Sequence, residues 1–174
     1  MSFYSVDIEA DGPIPGTDDF SMVSFGAVRV TPELDQTFYG KIRPISEKFI
    51  PSALAISGHS REEHLTFDDP VEVMTNFEVW IAETTSGRPI LISDNNGFDY
   101  MFIAWYFHHF LGRCPFGHTS RNISDIYKGM SGDMMKRIQH LRDTRHTHHP
   151  VDDAKGNAEA FVKLKGMGLK VGLK

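Results

Sequence analysis

Cysteine is nearly missing from this chain: Cys114 is the one residue of its kind among 174. A lone thiol forms no internal disulfide, which excludes a cross-linked secreted scaffold and suits a reducing, cytoplasmic setting. Long hydrophobic runs are missing as well. No stretch approaches the roughly 18 uninterrupted apolar residues of a membrane span, and no basic, apolar, small-residue leader opens the chain, so no membrane partner and no secretory signal are expected. Repeats, low-complexity tracts and long linkers are also lacking, and a single domain over residues 1–174 is the expectation. Acids are absent from the last stretch, FVKLKGMGLKVGLK, which carries Lys163, Lys165, Lys170 and Lys174. From about residue 163 onward this reads as a flexible basic tail, either solvated or touching phosphates.

What is abundant is negative charge in unusual places. The net charge is −5, which by itself argues against a polyanionic partner unless cations neutralise some of the acids. Near the start, SVDIEADG alternates Val6, Ile8 and Ala10 with Asp7, Glu9 and Asp11, so a strand here has one apolar face and one carboxylate face.

Strand patterns cover Phe3 to Ala10, Ser21 to Val30 and Gln36 to Ile42, with TPELD as a turn between the last two. A short helix is expected over Pro51 to Ile56 and a longer one over Pro70 to Glu83 behind Asp69 as N-cap, followed by a buried strand over Arg88 to Ser93. The strongly apolar Phe98 to Leu111 reads as a helix, RNISDIYKG as a strand running into a helix, Gly132 to Arg142 as a further helix, and the chain is helical again from Asp152. Three strands followed by strand and helix in alternation favour an α/β fold, a mixed sheet covered by helices.

Within that order acids concentrate three times: in DIE, at Asp99 in the first turn of the most apolar helix, and in HTHHPVDDA at the start of the last helix. Each has an ordinary reading, as a solvated edge or as an acid complementing a helix N-terminus. Together, one strand end and two helix N-termini converging at a sheet edge would gather carboxylates that repel unless hard cations neutralise them. A two-metal phosphodiesterase site needs that arrangement, with two cations about 4 Å apart and a nearby histidine to take the proton from the attacking water.

VDIEADG, NNGFDYMF and HHPVDDA resemble, in order and spacing, the three sequence blocks of the DEDDh superfamily of 3′-to-5′ exonucleases, and the likeness runs from residue 3 to about 162. Within that superfamily the chain is most similar to the small stand-alone exoribonucleases of bacteria and phages. The resemblance implies an RNase H-like fold, with a five-stranded mixed sheet whose second strand is antiparallel, flanked by helices. It implies that Asp7, Glu9, Asp99 and Asp153 bind two divalent metal ions, Mg²⁺ or Mn²⁺. Superfamily members carry the catalytic histidine five residues before the last acid, which selects His148 as general base over His149 and leaves Asp152 beside the site. The activity implied is release of nucleoside 5′-monophosphates from the 3′ end of RNA, on a single strand or an overhang. A DNA exonuclease of proofreading or repair type shares every one of these motifs. A catalytically silent nucleic-acid-binding module would have no use for the clustered acids. Small members of the superfamily are often dimers, although no apolar stripe here marks an interface.

The substrate contacts carried over are Ala10 and Gly12 after the first strand, Phe25, Ser57 in ISGHS where relatives have a histidine, and Asn95. Relatives have His-Asn before the middle block where this chain has Asp94 and Asn95. Asp94 is read first as an N-cap, and otherwise as a support for a metal ligand or a solvated acid. Phe25, Tyr100, Trp105 and Tyr106 are read as base-stacking rings or as core.

Overall fold

In the computed structural model, which describes residues 1–173, the acidic opening segment becomes β1, Ser2–Ala10, and lies in the middle of the sheet. Met22–Arg29 is β2 and Thr37–Lys41 is β3; Pro89–Ser93 is β4 and Arg121–Asn122 is β5. The sheet order is β3-β2-β1-β4-β5. β2 is antiparallel to both neighbours, whereas β1, β4 and β5 run parallel. The expected five-stranded mixed sheet with an antiparallel second strand is therefore present.

The helices are α1 (Pro51–Ile56), α2 (Arg61–Leu65), α3 (Pro70–Thr84), α4 (Asn96–Leu111), α5 (Ile123–Ser131) and α6 (Pro150–Gly166). Tyr4, Val6, Ile8 and Ala10 of β1 pack under α3 and α4 with Phe77, Phe102, Ile103 and Phe107. On the opposite face, Val28, Ile90 and Ile92 pack with Ala154, Ala158 and Phe161 of α6. The carboxylate face of β1 is therefore an interior face beneath α6, not a solvated edge. None of the described helices is long and apolar enough to cross a membrane.

Gly26 sets how closely α6 approaches. It sits opposite Asp7 in the β1–β2 ladder, and a Cβ there would lie 2.3 Å from Val151 N and 2.4 Å from the Pro150 carbonyl carbon. Only a residue without a side chain lets the N-terminus of α6 rest on the sheet beside Asp7. Gly26→Ala is expected to lower stability by about 1–3 kcal/mol through overpacking. A melting temperature equal to that of the parent would show that α6 can shift freely.

One expectation is corrected. The helix over Gly132 to Arg142 is absent apart from one 3₁₀ turn, Gln139–Leu141. Gly132 closes α5 at φ 67°, Ser131 and Asp133 side chains accept local backbone N–H groups, and Met134 and Met135 are 70% and 85% exposed. Side-chain bonding to the backbone replaces the helix ladder, and no apolar face anchors a helix. The stretch read as a basic tail begins inside α6, which runs to Gly166. Lys163 pairs with Asp143 at 2.6 Å, Leu164 is buried, and Leu169, Val171 and Leu173 pack on the α6 core. Lys174 lies outside the described residues.

Candidate active site

β1 presents Asp7 and Glu9 on the face beneath α6, beside the C-terminal end of β4, from which the chain turns into α4. A register shift between Glu9 and Ala10 breaks the β1–β2 ladder just after the second acid, the kind of irregularity that re-aims side chains beside functional sites. Asp99, in the first turn of α4, is 2% exposed and accepts a 3.3 Å hydrogen bond from Ile8 N. Asp153, in the first turn of α6, is 1% exposed. Its carboxylate accepts from Thr147 N at 3.1 Å and His148 N at 3.0 Å.

These side chains form two groups that share Asp7. In each of Asp7–Glu9–Asp153 and Asp7–Asp94–Asp99, one carboxylate oxygen per residue lies within 4.8 Å of the others. Such crowding disfavours ionisation. Burial, then Asp99, Asp153, Asp94 and Glu9, hold the Asp7 carboxyl well above the usual range. Burial and Asp153 push Glu9 up to about 7. Asp99 also rises to about 7, by burial with added repulsion from Asp94 and Glu9.

These donors suit divalent cations. They are all carboxylate oxygens, the ligands of hard ions, and among the described residues the buried Oδ2 of Asp99 makes no hydrogen bond of good geometry, the Ser93 hydroxyl being the side chain that interacts with this carboxylate. Raised carboxyls and an orphaned oxygen are both relieved by a cation between the acids.

The three loop histidines diverge. His148 is at φ 60°, a left-handed conformation uncommon for a residue with a side chain. Its Nδ1 lies 3.7 Å from Glu9 Oε1 and the side chain is 51% exposed. His149 occupies the N-cap position of α6 and its ring packs on Tyr39, with centroids 4.8 Å apart. His146, which the sequence did not single out for the site, places Nδ1 2.9 Å from Asp153 Oδ1 and packs its ring edge-on to His148. Asp152 takes a 3.1 Å hydrogen bond from Thr147 Oγ1 and is absent from both carboxylate groups.

Beside Glu9 lies an open cavity of about 370 Å³, lined by Glu9, Ala10, Gly12, Pro13, Ile50, Ala53, Ile56 and Phe98. Ala10 and Gly12 thus lie where the sequence reading put substrate contacts. A Cβ on Gly12 would sit 2.1 Å from the Phe20 ring, so the loop can close there only around glycine. Asp11 does not join the site. It is fully buried, accepts from Ser21 N at 2.6 Å and pairs with Arg61 at 3.1 Å.

Other candidates are placed differently. Phe25 is fully buried between Phe38 and Phe77 and cannot meet a substrate; β2 has both faces covered, so its alternation gave no sign of which ring reaches a surface. Tyr106 is buried with its hydroxyl accepting from Met22 N, and Tyr100 donates to Gly117 O. Trp105 stacks on His109. Ser57 ends α1 and donates to Leu54 O at 2.6 Å; it is not among the cavity-lining residues, although its neighbour Ile56 is. Asn95 is exposed at the start of α4 and its side chain caps nothing. Asp94 is not the cap either. It accepts from Arg142 Nη2 at 2.5 Å and Asn157 Nδ2 at 3.0 Å, a cation and an amide that outcompete a helix terminus.

Residues 5–161 match the family RNase_T, described as exonuclease. The chain is 36% identical over 169 residues, 91% of its length and 89% of the relative's, to the 3′-5′ DNA exonuclease Cap18 of Escherichia coli. Its fold superposes on the nuclease domain of 3′hExo, a DEDDh family member bound to rAMP, with a TM-score of 0.78 at 18% identity, covering 99% of this chain and 96% of that one. It also superposes on E. coli ExoI in complex with single-stranded DNA, with a TM-score of 0.72 at 16% identity, covering 97% of this chain and 41% of the larger protein. The chain belongs to the RNase_T exonuclease family.

Proposed function

We propose that Asp7, Glu9, Asp99 and Asp153 hold two divalent cations, Mg²⁺ or Mn²⁺, that His148 is the general base, and that the substrate is the 3′ end of single-stranded DNA. The observation that carries the reading is the pair of carboxylate groups joined through Asp7, since adjoining cation sites need a bridging acid. When bound, the cations neutralise the phosphate and lower the pKa of the attacking water. The 3′-terminal nucleoside enters the cavity between β1 and α1, against Ala10, Gly12, Ile50, Ala53 and Phe98. This brings the last phosphodiester to the carboxylates, because Glu9 belongs to both the cavity wall and the acidic group. His148 takes the proton from the attacking water; a bond forms between the water oxygen and phosphorus; the bond from phosphorus to the 3′ oxygen breaks, releasing a nucleoside 5′-monophosphate.

RNA is the second reading. The superfamily likeness of the sequence motifs favours it, whereas the 36% identity to a protein named as a DNA exonuclease favours DNA. Degradation of 5′-labelled deoxy and ribo oligomers, with EDTA and with Mg²⁺ or Mn²⁺, separates them. A cation-dependent ladder shortening from the 3′ end, faster on DNA, is expected. Faster turnover of RNA reverses the sugar assignment, and turnover in EDTA removes the cations from the mechanism.

A cation that binds only the folded chain stabilises it by mass action. At about a hundredfold above its dissociation constant, Mn²⁺ is expected to raise the melting temperature by roughly 5–10 °C over EDTA. Coincident curves at saturating Mn²⁺ would rule out a preformed site.

A further inference from the structure

Asp94 stands outside the four acids of the family pattern, yet it meets two of them. One of its carboxylate oxygens lies within 4.8 Å of oxygens from both Asp7 and Asp99. It adds to the repulsion that raises both of those carboxyls.

The chain holds it there from three directions. The end of β4 brings it beside α4. From α6, Asn157 donates Nδ2 to Asp94 Oδ1 at 3.0 Å, and from the segment before α6, Arg142 donates Nη2 to Asp94 Oδ2 at 2.5 Å. Arg142 also donates to Asn157 Oδ1, so the three side chains close a ring. Asn157 is fully buried and the Arg142 side chain is 8% exposed. Asn157 is also four residues after Asp153 on one face of α6, so the helix that supplies Asp153 helps to fix Asp94.

A second observation points to a ligand in this group. Asp99 is 2% exposed; its Oδ1 accepts from Ile8 N, and its buried Oδ2 makes no hydrogen bond of good geometry among the described residues, with only the Ser93 hydroxyl interacting with the carboxylate from β4. An unpartnered buried carboxylate oxygen costs free energy that an ion between Asp7, Asp94 and Asp99 would recover. Charge balance agrees. Four acids match two divalent cations, and the fifth negative charge, on Asp94, is offset by the Arg142 guanidinium.

We infer that Asp94 is a fifth carboxylate ligand of the bound cations, completing a site with Asp7 and Asp99 that is distinct from the Asp7–Glu9–Asp153 site, and that Arg142 and Asn157 orient it. The inference rests on the proposed two-cation reading. Both oxygens of Asp94 keep a free lone pair after one hydrogen bond each, so coordination does not require breaking the ring.

Calorimetric titration of the nucleic-acid-free protein with Mn²⁺ tests it. The parent is expected to bind two ions per chain. Asp94→Asn keeps the size of the side chain but replaces one of its two acceptor oxygens with an amide donor, and should leave one binding event intact while weakening the other by about tenfold or more. Asp153→Asn should weaken the opposite event. On DNA, the Mn²⁺ concentration for half-maximal turnover should rise in Asp94→Asn by a similar factor, with the maximal rate recovered at excess Mn²⁺.

A purely structural Asp94 gives a different result: two wild-type binding events and a lower melting temperature in EDTA, shared by Arg142→Gln. That result overturns the inference alone. A parent chain that binds no Mn²⁺ overturns both it and the two-cation reading. If Asp94→Asn does not fold, Asp94→Glu is titrated instead. It keeps the charge facing Arg142 but shifts the oxygens, and two unchanged binding events in it likewise overturn the inference.

Discussion

Asp7→Asn is expected to lose roughly a thousandfold or more in turnover while its metal-free form melts above the parent at pH 8. The activity loss follows from the position of Asp7 in both carboxylate groups. Cations at such a site supply several kilocalories per mole of transition-state charge stabilisation, and about 4 kcal/mol corresponds to about a thousandfold in rate. The stability gain follows from electrostatics. Burial and four neighbouring acids hold the Asp7 carboxyl well above its ordinary range, and Glu9 and Asp99 are raised to about 7. A raised carboxyl pKa means that the folded chain binds more protons than the unfolded chain, so stability falls as pH rises from the ordinary carboxylate range through about 7. At pH 8 Glu9 and Asp99 carry their penalty in parent and variant alike, and the neutral amide of Asp7→Asn removes the cost of ionising Asp7 among its four acidic neighbours.

The pH dependence must be read as a difference between the two proteins. His64 is held down to about 4 by burial and Arg61, and Asp11 is raised to about 6 by burial. Both titrate across the same range, but identically in parent and variant. The gap between the two melting temperatures in EDTA should widen from pH 5 to pH 8 and reverse when Mn²⁺ is added. Full turnover in Asp7→Asn would remove it from the site. A variant that melts no higher than the parent at pH 8 would show that the carboxylates are already compensated.

The sequence carried the elements of this site better than its surroundings. The alternation in SVDIEADG gave both the strand and the residues sharing a face, because a period of two is intrinsic to a strand. It could not say that this face lies under α6, since that depends on Gly26, paired across the ladder and bare enough to admit Pro150 and Val151. Asp69 before Pro70 marked the start of α3 correctly, and its carboxylate accepts from Val71 N at 2.8 Å.

By contrast, α2 was missed although Ser60 and Glu63 form a capping box, because that signal precedes only one helical turn. Asp94 was misread because an acid between a strand and a helix fits a cap, and the partners that decide otherwise are 48 and 63 residues away. Phe25 and Ser57 are not part of the cavity lining, for a related reason. A surface position within a covered strand or a helix end depends on long-range packing, which local pattern does not encode. Ile50, Ala53 and Ile56 of the cavity wall were overlooked for want of any charge or motif, and Phe98, inside NNGFDYMF, was read only as part of an apolar helix.

His148→Ala is expected to reduce turnover by roughly a hundredfold or more, the lower end of general-base contributions, while Mn²⁺ and DNA still bind. Its neighbours provide the contrast. The His148 backbone N–H is tied to Asp153 Oδ2, and the left-handed backbone at this residue turns the ring so that Nδ1 lies 3.7 Å from Glu9 Oε1. His149 faces Tyr39 instead, and His149→Ala should change the rate little. His146→Ala should fall between them, because its ring packs on His148 and its Nδ1 reaches Asp153. The shape of the pH profile separates a proton acceptor from a positioning group. A protonated imidazole accepts no proton, so a histidine base imposes an acid limb on the rate. That limb should flatten in His148→Ala and persist in His146→Ala and His149→Ala. If His149→Ala is the more damaging change and loses the limb, the base is His149 and the five-residue spacing to Asp153 does not select it. If His146→Ala does so, the base is the histidine already bonded to the Asp153 carboxylate.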